Sequence, residues 1–351
     1  MYVICRLGGN IMKISHKSKL CLNFLFAFVF IFTILSVYSH ENAHGLESKN
    51  NNIDIEISGI NSENNENFIV DEYGQLNDYT GSEKHIVIPN NVKIIGKYAF
   101  SGHSEIKSIA FPKHLERIGY YAFSNCMGLT VLDIPDSVKA IDPFAFLGCT
   151  GLKKIRLGVG VKSLGEMCFG FCDSLSSIEI DEDNQYFICK DGVLYDKKCE
   201  TLMRCPQGKK GKFVVPSGVK KIDKYAFSDC KFIEEILFAD DNLETIGEAV
   251  FFGCSSLKKI NLPKNLKYIE RGAFLGCEKL TDIRISSAIQ YIGDSAFYGC
   301  DGLKEVEILS CSVKLGNHIF KGCRKDLVIR APMESSVVEY AEKKNIKISL
   351  I

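Results

Sequence analysis

The residues of this 351-residue chain that could most readily do chemistry are its 15 cysteines. A thiol can form a disulfide, hold a metal, act as a nucleophile or fill space in a core. Many of the cysteines recur at one position of a repeated motif, and in the first copy of that motif His103 stands at the same position. Because the position tolerates this replacement, we expect the cysteines there to be buried structural thiols. Eight cysteines occupy that place, each three residues after a phenylalanine: Cys126, Cys149, Cys172, Cys230, Cys254, Cys277, Cys300 and Cys323.

Disulfides and metals are the main alternatives for these thiols. Equivalent positions on stacked coils lie about 5 Å apart, which is within disulfide reach, but side chains that project in parallel do not readily adopt the disulfide dihedral angle. Cys189, Cys199 and Cys205 cluster separately, and one disulfide among them stays open as an alternative. No His or fourth Cys stands near them at a zinc-ligand spacing. The sequence therefore predicts no metal and no other cofactor.

Enzyme motifs are missing from the sequence. It contains no G-x-S-x-G, no H-E-x-x-H, no Walker loop and no paired-carboxylate motif. The 43 basic and 43 acidic residues cancel, so no overall basic field points to nucleic acid. We expect a protein that is not an enzyme and binds no nucleic acid. An enzyme that uses the irregular insert described below is the third interpretation of function.

A repeat of about 23 residues positions the thiols. In the unit Leu257 to Lys279, Ile260 and Leu262 alternate as a short strand, and Pro263 ends it. A second short strand follows, and then a tight turn carries the Phe and the Cys. One unit cannot bury its own apolar face, so stacked copies are predicted to form parallel sheets. The marker phenylalanine recurs at intervals of 23, 23, 23, 58, 24, 23, 23 and 23 in the series Phe100, Phe123, Phe146, Phe169, Phe227, Phe251, Phe274, Phe297 and Phe320.

The repeat resembles the BspA-like, treponemal-type leucine-rich repeat over residues 68–351. The likeness rests on the opening GQLNDYTGSEKHIVIPNNVKIIGKYAF, the IP-x-x-V-K-x-I-G-x-x-A-F-x-G-C units, a DGVLYD hairpin and the closing VVEYAEKKNIKI. It implies a β-rich (β/α) solenoid, a right-handed superhelix of about nine 23-residue coils with N- and C-terminal caps. It also implies a secreted or surface-exposed bacterial-type protein, because characterised relatives are described as adhesins.

The predicted organisation places a β cap at 67–84, repeats at 85–325 and a strand-helix-strand cap at 326–351. A hairpin insert at about 181–211 accounts for the 58-residue interval. Ser336 to Glu339 fits a helix capping box.

The segment before residue 67 is predicted to lie outside the fold. A basic stretch and the apolar run Cys21 to Tyr38 predict a signal peptide at 1–39, with an uncleaved membrane anchor as the alternative. Gly8 to Met12 reads like a translated ribosome-binding site, so we hypothesise that the true start is Met12. Residues 40–66 are predicted to be an acidic, Asn-rich linker, since nine acidic residues and one lysine lie between Glu41 and Asp78. The predicted localisation is secreted or cell-surface.

Outward positions of the main strand supply the candidate partner-binding residues Lys154, Arg156, Lys259, Asp282 and Arg284. A lysine row after the second strand adds Lys139 and Lys162. Because solenoids bind proteins over such extended surfaces, we expect non-catalytic recognition of protein ligands, host extracellular proteins among them. A structural protein that associates with itself is the alternative.

Overall fold

The computed structural model describes residues 3–7, 10–14 and 65–351. Strands Val3–Leu7 and Asn10–Ile14 form an antiparallel pair. The apolar run of the predicted signal peptide or anchor and the predicted linker up to residue 64 lie outside the described residues. In the described ranges, none of the helices has the length and apolar character needed to cross a bilayer.

The chain from residue 65 onward forms the predicted β-rich solenoid, in which each coil contributes a long strand and a short strand. The long strands together form the long-strand face. They pair in parallel within four sheets, and their apolar side chains alternate inward because successive residues of a strand point to opposite sides. They span His85–Val87, Ser108–Ala110, Val131–Ile134, Lys154–Leu157, Ser177–Ile180, Gly211–Val215, Ile233–Phe238, Lys259–Ile260, Asp282–Ile285, Glu305–Ile308, Val328–Ala331 and Lys347–Leu350.

The short strands form a second wall, the short-strand face, made of a six-stranded and an eight-stranded sheet. The first sheet opens with Phe68–Val70, which pairs antiparallel to Gln75–Tyr79. The other short strands are Ile94–Ile95, Arg117–Ile118, Ala140–Ile141, Ser163–Leu164, Thr201–Arg204, Lys221–Ile222, Thr245–Ile246, Tyr268–Ile269, Tyr291–Ile292 and Lys314–Leu315.

The 58-residue interval holds an additional coil that begins with a hairpin. Strands Phe187–Lys190 and Val193–Asp196 pair antiparallel through Asp191 and Gly192, which both have positive φ, as a two-residue hairpin turn requires. Strand Val193–Asp196 then pairs antiparallel with Thr201–Arg204, which returns the chain to the parallel stack.

The core is divided at this additional coil. Phenylalanine rings stack with centroid distances from 4.8 to 5.9 Å between Phe100 and Phe169. They stack again at 5.0 to 5.5 Å between Phe227 and Phe320. Among the described residues no ring pair joins Phe169 to Phe227. The additional coil separates them along the chain, and its buried Tyr195 belongs to the core cluster of Phe227. The nine phenylalanines therefore form two stacks rather than one spine.

Aromatic side chains of the caps close the ends of the core. At the N-terminal end the Tyr79 ring packs 5.1 Å from that of Phe100. At the C-terminal end Tyr340, on the α-helix Ser336–Lys343, meets Phe320 edge-on at 6.3 Å. The predicted capping box is wrong: the N-cap is Ser335, without a side-chain cap, and the Ser336 hydroxyl instead donates to the Val313 carbonyl at 2.7 Å.

Candidate binding surfaces and the thiol ladder

The long-strand face presents its outward side chains in register. Lys154 lies between Val131 and Ser177 on the neighbouring strands, and Arg156 lies between Asp133 and Glu179. Since adjacent strands are about 4.8 Å apart, side chains of opposite charge in one column can reach each other. The charge pattern of this outer surface therefore depends on which residues occupy equivalent positions in neighbouring coils.

Arg156 is the most heavily paired of the predicted binding residues. Its guanidinium contacts Asp133 and Asp181 at 2.9 Å each and Asp136 at 3.6 Å. The hydrogen bond to Asp133 is the main cause that raises the pKa of Arg156. Lys154 pairs with Glu179 at 2.8 Å. These two cations are therefore held by carboxylates of the same face.

The remaining predicted residues of this face differ in their partners. Arg284 pairs with Glu307 at 2.8 Å. The Asp282 carboxylate accepts a hydrogen bond from Thr281, also at 2.8 Å. Lys259 is exposed, and within residues 65–351 neither Lys259 nor Asp282 forms an ion pair. The face thus combines neutralised pairs with a few charges left to solvent.

The lysine row on the short-strand face is interrupted by acidic residues. Lys139 pairs with Glu116 at 3.6 Å, while Lys162 has no ion pair in the described chain. Glu116, Glu200 and Glu244 occupy the same column as the lysines, which aligning the repeats of the sequence also shows. Two more pairs of this kind join Lys220 to Glu200 at 2.7 Å and Lys267 to Glu244 at 2.9 Å.

The eight repeated cysteines form a ladder of free thiols inside the stack. All are buried except Cys323, which is half-buried. Cys230 differs from the others because the additional coil precedes it, and its sulfur lies 3.8 Å from the carbonyls of Cys205 and Pro206. The other seven thiols each donate to the carbonyl of the phenylalanine one coil earlier, at 3.0 to 3.2 Å, as in the pair Cys126 and Phe100. The ladder thiol is therefore a weak donor as well as a filler.

Burial disfavours the thiolate form of most ladder cysteines. It raises the pKa of Cys126 to about 12 and the pKa of Cys149 well above its usual range. Cys323 departs from this rule, because its interaction with the neighbouring Cys300 side chain lowers its pKa. All thirteen cysteines within residues 65–351 are free, Cys189, Cys199 and Cys205 among them. In the same part of the chain no group of three or more His, Cys, Asp or Glu is arranged to hold a metal ion.

Comparison with known proteins settles the family. The model of the BspA type leucine rich repeat region matches residues 78–193 and 206–325, in six copies. The chain belongs to this BspA-type family. Both matched ranges lie within the solenoid, and the gap between them falls in the additional coil. No curated protein matches the chain.

Two solved structures share the fold. The pneumococcal vaccine antigen PcpA is 23% identical and superposes with a TM-score of 0.61, over 76% of this chain and 79% of that one. A leucine-rich repeat protein from Eubacterium ventriosum is 19% identical, with a TM-score of 0.52, over 71% of this chain and 88% of that one. At these identities the likeness shows the solenoid fold alone and leaves the ligand to be argued from the surface.

Proposed function

We propose that this BspA-type protein is a non-catalytic recognition solenoid that acts outside the cell, secreted or on its surface, and binds a protein of a host or partner cell as an adhesin. The observation that carries the proposal is the long-strand face, whose strands pair in parallel within four sheets and present outward side chains in register, as in residues 131–180 and 282–308. The predicted signal peptide supports an extracellular location, and PcpA, which shares the fold, is described as a vaccine antigen.

The physical properties of the face suit recognition of a folded partner. Its ion pairs hold long side chains in fixed geometry, so binding would cost less side-chain entropy than it does on an unpaired surface. Val131 and Val214 are 53% and 47% exposed and supply apolar contacts. The unpaired charges of Lys259 and Asp282 would orient the partner, since charged rim residues mainly set specificity and association rate.

Binding of the full chain to immobilised host extracellular proteins, such as fibronectin, fibrinogen and collagen, tests the proposal. Reversal of both unpaired charges, Lys259→Glu with Asp282→Lys, should weaken binding about tenfold or more, the effect of about 1.4 kcal/mol. Lys314→Glu on the short-strand face is the matched control and should leave binding unchanged. Failure of every partner to bind, or equal losses in both variants, would refute the use of this face.

A second function, self-association, is favoured by the open edges of the long-strand face. Within residues 65–351, His85–Val87 and Lys347–Leu350 each pair with one strand, and Leu350 at the latter edge is 48% exposed. Open strand edges can pair with another chain, and head-to-tail pairing would give filaments. Sedimentation at increasing concentration should then show a ladder of assemblies that Leu350→Lys abolishes. A monomer at all concentrations excludes this function.

A further inference from the structure

A cationic pocket lies at the C-terminal end of the solenoid, away from the outward columns of the long-strand face. It is bounded by the last turn of the repeats, from His318 to Leu327, and by Tyr340 and Lys344 of the closing helix, with Ile346 just after the helix. Its volume is about 490 Å³. This space accommodates two or three side chains and is too small for a folded domain or a nucleic-acid duplex.

The floor of the pocket is apolar. Phe320 and Leu327 are buried there, and Tyr340 and Ile346 are half-buried beside them. The Tyr340 ring stands edge-on to Phe320, so the floor offers an aromatic corner rather than a flat wall. A ligand that fills this pocket therefore needs an apolar group.

The rim of the pocket is positive and unpaired. Lys321, Lys325 and Lys344 are exposed, and none of them has an acidic partner in the described part of the chain. Arg324 is the exception, because it pairs with Asp326. No acidic side chain lines the pocket. On the short-strand face, in contrast, three lysines of the repeats are neutralised by a glutamate of the neighbouring coil.

We propose that this pocket binds an acidic peptide segment of a protein partner. Carboxylates of the segment would pair with Lys321, Lys325 and Lys344, and one apolar side chain would occupy the corner between Phe320 and Tyr340. Charge complementarity supplies orientation, and burial of the apolar side chain supplies most of the affinity. The pocket does not include the outward residues of the long-strand face. The proposal for the pocket and the proposal for the long-strand face can therefore be refuted independently.

Cys323 provides a built-in reporter of occupancy. Its half-buried thiol lies in the wall of the pocket, so a bound segment would cover it. Cys311 is an exposed free thiol outside the pocket and serves as the internal reference. A neutral alkylating reagent, iodoacetamide, avoids any effect of charge on the reagent itself.

The experiment measures site-resolved alkylation of the full chain by peptide mass spectrometry. The probe is the capped hexapeptide Glu-Glu-Leu-Glu-Glu-Phe, and its control is the same peptide with every Glu replaced by Gln. At about five times its Kd the acidic peptide should slow alkylation of Cys323 about sixfold, because only the empty pocket reacts. The Gln peptide should have no effect, and Cys311 should react at an unchanged rate.

Charge variants and a simple anion complete the test. Lys321→Glu with Lys325→Glu should abolish protection, while Lys314→Glu with Lys347→Glu, outside the pocket, should preserve it. Fluorescence anisotropy of the dye-labelled peptide on the unalkylated chain checks the same binding directly, and its affinity should fall with added salt. Absence of protection, equal slowing of Cys311, or equal protection by inorganic phosphate would overturn the proposal.

Discussion

Asp229 is a buried carboxyl group at a place where most coils carry glycine or asparagine. Its side chain is only 5% exposed, and its Oδ2 atom has no hydrogen-bond partner. Burial raises its pKa from the ordinary 3.8 to about 7, with the nearby Asp173 adding to the shift and Lys231 opposing it. Asn125 occupies the same place in an earlier coil, so Asp229→Asn replaces the carboxyl group with a residue that this position already accepts.

The upward shift fixes the sign of the pH effect. A carboxyl group whose pKa is higher in the folded than in the unfolded chain contributes its full stability below the unfolded pKa, near 3.8, and loses it as the pH rises to about 7. A shift of about three units corresponds to a loss on the order of 4 kcal/mol between those limits. Above about pH 7 the contribution is constant, because the group is ionised in both states.

Urea unfolding of the wild type and of Asp229→Asn at about pH 4.5 and about pH 8 measures this effect. Between the two pH values the wild type should lose about 2–4 kcal/mol more free energy of unfolding than the variant. This double difference cancels the pH-independent cost of burying an amide, which is about 1–3 kcal/mol. Asn125→Asp, at a half-buried copy of the position, should show a smaller pH effect. Parallel pH curves for the wild type and Asp229→Asn would refute the reasoning.

Three further predictions follow from the packing of the stack. Phe274→Ala should lower the free energy of unfolding in urea by about 3–5 kcal/mol, because the ring is fully buried between two others; a loss under about 1 kcal/mol would contradict this packing. Gly165→Ala should cost on the order of 2 kcal/mol, because a Cβ would collide with the backbone of the preceding coil, whereas Gly247→Ala, at the same repeat place but with its nearest backbone atom 3.3 Å from the added Cβ, should cost clearly less; equal melting temperatures would argue against the collision. A neutral thiol reagent should label Cys311 in the native chain and Cys149 only after denaturation, as their burial requires; native labelling of Cys149 would show that the ladder opens.

The fold could be predicted from the sequence because the recurring spacing of about 23 residues specifies the length of each coil. The repeated phenylalanine and the alternating strand residues specify a stack of 23-residue coils, and both the family match and the structure confirm that solenoid. The division of the phenylalanine core could not be predicted in the same way. It depends on which side chains the additional coil directs inward, and Tyr195 carries no repeat signal.

The ion pairs of the surface were harder to predict than the fold, because they depend on contacts between coils. The sequence identified Lys139 and Arg156 as outward cations, but their electrostatic state depends on the neighbours above and below them. Glu116 beside Lys139 could have been found by aligning the repeats column by column. The contact between Arg156 and Asp181 joins residues outside one column and required the structure. The C-terminal pocket likewise depends on how the closing helix lies against the last turn of the repeats.

The ends of the stack differ from its interior for a reason that bears on function. An interior coil has a neighbouring coil on each side, so a charged side chain has two opportunities to find an opposite charge. A terminal coil has one neighbour and one open side. At the C-terminal end Lys321 and Lys325 are unpaired within residues 65–351, and Cys323 is half-buried where Cys277 is fully buried. Charge, thiol and strand edge are accessible together at the C-terminal end of the solenoid, so a binding screen directed only at the long-strand face would miss this surface.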